Sequence, residues 1–211
     1  MKYRLKSNER KKIVIQYLLF LVFYVLLFAV LEQRKTPISL VMSRIDQHIP
    51  FCEYFIVPYF FWFIYLGLTA GYFGLFCKNI KEIKKVSYSF IAGMSVFLLV
   101  SLFFPNGHML RPALVEEGLF VSAVKFLYSI DTSTNVFPSM HVFCTIAASI
   151  ALLRQKELRK IKGFKVAIHV ISILIILSTM LLKQHSIIDV VGAFILNGVC
   201  YYLFYRVEWN R

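Results

Sequence analysis

The sequence predicts an all-α fold: a polytopic membrane helix bundle with six transmembrane helices and both termini cytoplasmic. Three observations predict it. The chain has 211 residues, of which 59% are hydrophobic and 17% charged, whereas soluble domains run about 45–50% apolar and about 25% charged. A soluble core of this size could not bury so much apolar surface. The apolar residues gather into six runs, each close to the roughly 20 residues that a spanning helix needs. Between the runs, Lys and Arg fall mainly on one side.

The first run extends from about Ile13 to Leu31. It is too long for the apolar region of a signal peptide, and no A-x-A site follows, so it reads as a retained signal anchor. The second, Phe51 to Cys77, is long and holds Pro58, which predicts a tilt or kink. The third spans Val86 to Phe104, the fourth Val136 to Leu153, the fifth Phe164 to Leu182 and the sixth Ile187 to Tyr205. No internal repeat interrupts them. The chain reads as one membrane domain over residues 1–211, with a core at about 86–205 and two N-terminal spans within 13–77.

Orientation follows from the cations. Lys2, Arg4, Lys6, Arg10, Lys11 and Lys12 precede the first run, and Lys78, Lys81, Lys84 and Lys85 separate the second from the third. Arg154, Lys156, Arg159, Lys160, Lys162 and Lys165 lie between the fourth and fifth, and Arg206 and Arg211 follow the sixth. These are 18 of the 24 basic residues. The positive-inside rule places them in the cytoplasm. The net charge of +13 is then accounted for by topology and anionic lipid, and nucleic acid is excluded as a partner. Cys52, Cys77, Cys144 and Cys200 have no CxxC spacing and read as free thiols in apolar surroundings.

Two outer loops remain. Gln33 to Pro50 runs along the interface. Pro105 to Asn135 contains His108, Arg111 and Pro112, and then an apolar pattern at helical spacing from Gly118 to Ile130 that predicts an interfacial amphipathic helix.

The chemistry converges on that outer face. His185 and Asp189 are spaced i, i+4, which on a helix puts them about 5–6 Å apart at Cβ. The carboxylate can accept one imidazole N–H, fix the tautomer and leave the other nitrogen as a nucleophile. Pro138-Ser139-Met140-His141 opens the fourth span. Pro138 suits the first helical turn, and the N–H groups behind it form an anion site that the Ser139 hydroxyl can cap or join. His141 is placed to protonate a leaving oxygen and later to activate water. Arg111 offers a planar fork for phosphate oxygens. Together these parts specify phosphoryl transfer through a phosphohistidine: His185 attacks, Asp189 orients it, His141 is acid and base, and Arg111 and Ser139 hold the phosphoryl group. The scheme calls for no metal and no cofactor.

These residues resemble the type 2 phosphatidic acid phosphatase (PAP2) superfamily, whose blocks are K-x6-RP, PSGH and SR-x5-H-x3-D. The first block appears as Leu110-Arg111-Pro112, the second as Phe137-Pro138-Ser139-Met140-His141, and the third as Ser178-Thr179 with His185 and Asp189 at the family spacing. The resemblance covers about Phe103 to Gly198. It implies a membrane enzyme hydrolysing a lipid phosphate monoester or diphosphate at the extracytoplasmic face of the cell membrane. Phe104, Thr179 and Met140 stand where the family carries Lys, Arg and Gly. Lys183 is a replacement phosphate-holding cation, with a snorkelling lysine as the plain alternative. His108 reads as a solvated loop residue or a second replacement. Family members that move phospho-headgroups between lipids also lack these cations, so headgroup transfer is the alternative activity. A non-catalytic scaffold or transporter-like bundle is the other class.

Overall fold

A computed structural model describes residues 2–207 of the protein, with side chains from Asn8 onward. Arg211 and the side chains of Lys2, Arg4 and Lys6 lie outside the described residues. The fold is an all-α bundle. Its helices are α1 (Lys2–Glu32), α2 (Ile56–Gly71), α3 (Ile80–Phe103), α4 (Leu119–Ile130), α5 (Met140–Leu153), α6 (Phe164–Leu181) and α7 (Ile187–Tyr201). Two two-residue strands, Ser39–Leu40 (β1) and Asn106–Gly107 (β2), pair in parallel and join the loops that follow α1 and α3.

Among the described residues, five helical stretches are long and apolar enough to cross a membrane: Asn8–Glu32, Glu53–Phe76, Ile80–Phe103, Phe164–Leu181 and Ile187–Arg206. The expected fourth span is different. Its helix, α5, has 14 residues, a rise of about 21 Å against a hydrocarbon core of about 30 Å. It starts late because Ser139 is its N-cap, accepting the Val142 N–H at 3.3 Å. Pro138 therefore precedes the cap rather than filling the first helical position. A short helix suffices here because α5 is central, packed against α2, α3, α6 and α7. Val142, Phe143 and Ala148 are wholly buried.

Close approach of α3 to α5 depends on Gly93. A Cβ there would fall 1.9 Å from the Phe143 ring. Gly192 on α7 makes room for Phe137 in the same way, since a Cβ would meet that ring at 2.5 Å. The long helix α1 lies along α3 through ring contacts of Tyr17 with Phe90 and of Tyr24 and Phe28 with Phe97. It also caps two helix ends. Arg34 donates to the carbonyls of Leu102, at 3.1 Å, and Ser101 at the end of α3. Arg10 donates to those of Leu75 and Cys77, at 3.0 and 2.5 Å, beyond α2. Cations at helix C-termini satisfy orphan carbonyls and oppose the negative dipole end.

Pro58 lies in the first turn of α2, where a proline costs no interior hydrogen bond. The departure from α geometry occurs instead at the C-terminal π-turn Tyr72–Phe76. The amphipathic helix expected after Gly118 is α4, which turns Val121, Val124 and Leu127 inward.

Candidate active site

The turn between α6 and α7 holds the first half of the site. The carbonyl of Thr179 accepts the N–H groups of both Gln184 and His185, at 2.9 and 3.0 Å. That turns the chain back so that His185 precedes α7 directly. Ser186 is the N-cap of α7 and forms a capping box with Asp189, the reciprocal arrangement that satisfies two orphan donors at a helix start. Asp189 Oδ2 accepts the Ser186 N–H at 2.9 Å and meets His185 Nδ1 at 3.3 Å. A carboxylate only accepts, so Nδ1 carries the proton and Nε2 is the free nitrogen. Asp189 is fully buried, and its Oδ1 has no partner.

The second half comes from α5 and α2. The Ser139 N–H donates to the Asp189 carbonyl at 3.1 Å, stitching the start of α5 to the first turn of α7. This N–H is therefore not open to an anion, and the Ser139 hydroxyl serves the cap. The Met140 and His141 N–H groups lie in the first turn, where helix geometry supplies no partner. The His141 ring sits 5.7 Å from the His185 ring, centroid to centroid. On its other side it packs against Trp62 at 4.4 Å and Tyr59 at 4.7 Å. Trp62 also donates to the His141 carbonyl at 3.1 Å.

Arg111 reaches the site at one remove. Its guanidinium lies 4.3 Å over the Tyr128 ring. It donates to the carbonyls of Tyr128 and Asp131, at 3.2 and 2.5 Å, and to Gln184 Oε1. Both terminal amino groups are thus committed to protein oxygens beside His185. Its Nε is buried and unpartnered. Lys183 faces another way: its ammonium donates to the carbonyls of Asp46, at 2.7 Å, and Ile49. It is buried rather than snorkelling, and burial lowers its pKa while the Asp46 carboxylate opposes that shift.

His108 is not a solvated loop residue. It is 2% exposed, Nε2 donates to the Gln184 carbonyl at 2.8 Å, and Nδ1 accepts the Leu110 N–H at 3.3 Å. Burial holds its pKa below the ordinary value, although the Gln184 bond works the other way. His48, which has no evident partner in the sequence, donates to the Arg44 carbonyl at 3.2 Å. Thr179 keeps its hydroxyl for the Ile176 carbonyl at 2.8 Å.

Sequence reasoning missed three residues that hold the site. Asp46 accepts from Ser186 Oγ at 2.7 Å, Ile187 N–H at 2.8 Å and Ser43 N–H at 2.6 Å. Asn106 Oδ1 accepts the N–H groups of Val136 and Phe137, both at 2.9 Å. Asp131 accepts from Tyr59 at 2.5 Å and from Gln184 at 3.4 Å. All three lie in the loops Gln33 to Pro50 and Pro105 to Asn135, where a polar residue stands out little from its neighbours.

The geometry is thus two histidines side by side, one with a buried carboxylate behind it, near a half-buried arginine. A family model, the PAP2 superfamily, matches residues 84–211. The chain belongs to the PAP2 superfamily. This makes the protein a membrane enzyme of the phosphatase and phosphotransferase type. The match takes in α3 as well as the three blocks, and leaves α1 and α2 outside it. No curated protein and no solved structure matches the chain.

Proposed function

We propose that this PAP2 protein hydrolyses a lipid phosphate monoester or diphosphate at the extracytoplasmic face of the cell membrane, through a phosphohistidine on His185. One observation carries the reading: His185 Nδ1 lies 3.3 Å from a fully buried Asp189 carboxylate, with the His141 ring 5.7 Å away.

His185 Nε2 attacks phosphorus, and the P–O bond to the lipid breaks as His141 delivers a proton to the departing oxygen. Asp189 stabilises the cationic imidazole that forms. His141, now neutral, takes a proton from water, which attacks the phosphohistidine and releases inorganic phosphate. Arg111, and Lys183 if its loop contacts open, supply positive charge to the phosphoryl oxygens. The Ser139 cap and the N–H groups of Met140 and His141 present a helix start to the same group. Water suffices as the second substrate.

The test is phosphate release by the purified protein from a panel of lipid phosphates in EDTA. Wild type releases phosphate. His185→Ala and Asp189→Asn lose at least a hundredfold, in the range that orienting and nucleophilic groups contribute. Equal release by wild type and His185→Ala sinks the mechanism.

A second reading has one observation in its favour. Phe104 and Thr179 replace two phosphate-binding cations of the family pattern, and the Thr179 hydroxyl is spent within its own helix. In that reading a lipid alcohol replaces water and the phospho-headgroup moves between lipids. Transfer of a labelled headgroup to an acceptor lipid, without free phosphate, distinguishes it.

A further inference from the structure

An apolar cavity of about 460 Å³ lies between α1, α2, α3 and α5, within the size range of small-molecule sites. Leu21, Leu66, Phe73, Val86 and Met94 form its walls. One end is made by Trp62 and Met140. Those residues flank His141: the Trp62 ring touches it at 4.4 Å, and Met140 precedes it in the chain. The other end reaches Gly74. Trp62 to Gly74 is a rise of about 18 Å along the helix.

The cavity exists because small residues on α2 and on the π-turn after it face it. Gly67, Ala70 and Gly74 line it, and a Cβ at Gly67 or Gly74 would meet no atom within 4 Å. Small residues between packed helices usually let backbones close together. Here α1 stays on α3, and the space beside α2 remains. Few polar groups face it, and the Thr69 hydroxyl among them already donates to the Tyr65 carbonyl at 2.8 Å. Water would find little to bond there. Volume divided by length leaves a mean cross-section of about 25 Å², space for one extended chain.

Resting on the phosphatase reading above, we propose that this slot holds a single long hydrocarbon chain of the phosphorylated lipid. The phosphate sits at His185 and His141, and the chain runs past Trp62 down α2 towards Gly74. Chain recognition then draws on α1 and α2, which lie outside the family match, together with α3 and α5. A resident membrane lipid with no part in catalysis is the competing occupant.

The experiment uses the full chain in phosphatidylcholine nanodiscs and two substrates with one headgroup, butyl phosphate and hexadecyl phosphate. The ratio of their kcat/KM values favours hexadecyl phosphate at least tenfold in wild type. Gly67→Leu, whose Cβ would meet no atom within 4 Å, lowers that ratio at least tenfold. Gly74→Leu, further from His141, lowers it less. A ratio near one in wild type, or one unchanged in Gly67→Leu, overturns the proposal and leaves a resident lipid as occupant. A binding arm needs no turnover. Trp62 is one of two tryptophans, and Trp209→Phe makes it the sole tryptophan, excited selectively beyond the tyrosine band. Hexadecyl phosphonate brominated near its headgroup quenches Trp62 at least twofold, and Gly67→Leu abolishes the quenching. Quenching without phosphate release from any substrate defeats the hydrolase reading alone. Absent quenching, or quenching unchanged in Gly67→Leu, defeats the slot alone.

Discussion

Asp46 stands 140 residues from Ser186 in the chain, yet its carboxylate accepts that hydroxyl and the first N–H of α7. It is 1% exposed and carries negative charge at the positive end of the helix dipole. Asp46→Ala should cost about 0.5–2 kcal/mol, the usual price of a lost cap, and should also reduce phosphate release, because Ser186 sits between His185 and Asp189. Asp46→Asn keeps an oxygen for the Ile187 N–H and should fall between. Thermal unfolding in detergent, run beside the phosphate assay, measures both. His108 bears on pH. Its folded pKa is lowered, first by burial, so the unfolded chain binds the proton first as pH falls. Its contribution to stability is full above the unfolded value of about 6.5 and is lost as pH drops below it. The unfolding midpoint of wild type should therefore fall more between pH 7.5 and 5.5 than that of His108→Gln. Equal falls would remove His108 from the account.

At the scale of elements, α5 shows what a sequence conveys and what it hides. Apolar length marked its existence, though the run from Val136 begins four residues before the helix does, and Pro138-Ser139 marked its start to within two residues. Its shortness was hidden, because a continuous apolar run looks the same whether it faces lipid or neighbouring helices. The i, i+4 pair His185 and Asp189 was legible, since spacing within one helix is local. Asp46, Asn106 and Asp131 were not, since each acts across more than 25 residues of chain on a partner that no periodicity links to it. The contact of α3 with α5 gives an element-scale prediction. Gly93→Ala should destabilise by about 1–3 kcal/mol through overpacking, and Phe143→Leu in the same chain should restore part of the loss. A double-mutant cycle on thermal unfolding checks this, and additive losses would deny the contact.

For the whole molecule, the basic residues predict which ends of the helices meet the cytoplasm. Lys125 on α4 and Lys160 before α6 fall on opposite sides in that scheme. With Cys52 replaced by Ser, a membrane-impermeant maleimide should label Lys125→Cys in intact cells, and Lys160→Cys only after lysis. The reverse pattern would turn the protein over. The bundle fold and its membrane character were legible because composition and run length are properties of the whole chain. The number of helices that truly cross was not, because it turns on where a central helix begins.

That beginning sets a depth. Gly93 and Phe143 lie level with each other, as do Glu82 and Arg154, which pair at 3.0 Å. From the first level α3 climbs ten more residues to Phe103, while α5 climbs three to Met140. The start of α5, with the His141 ring 5.7 Å from that of His185, therefore lies about 10 Å beneath the end of α3. At physiological ionic strength a Debye length is about 8 Å, so mobile ions beyond the end of α3 would screen a phosphate held between the two histidines only weakly. A phosphate bound there would meet a field set by Arg111, Asp131 and Asp189, and the proposed chemistry would be insulated from the salt that governs how the protein's basic surface meets the membrane.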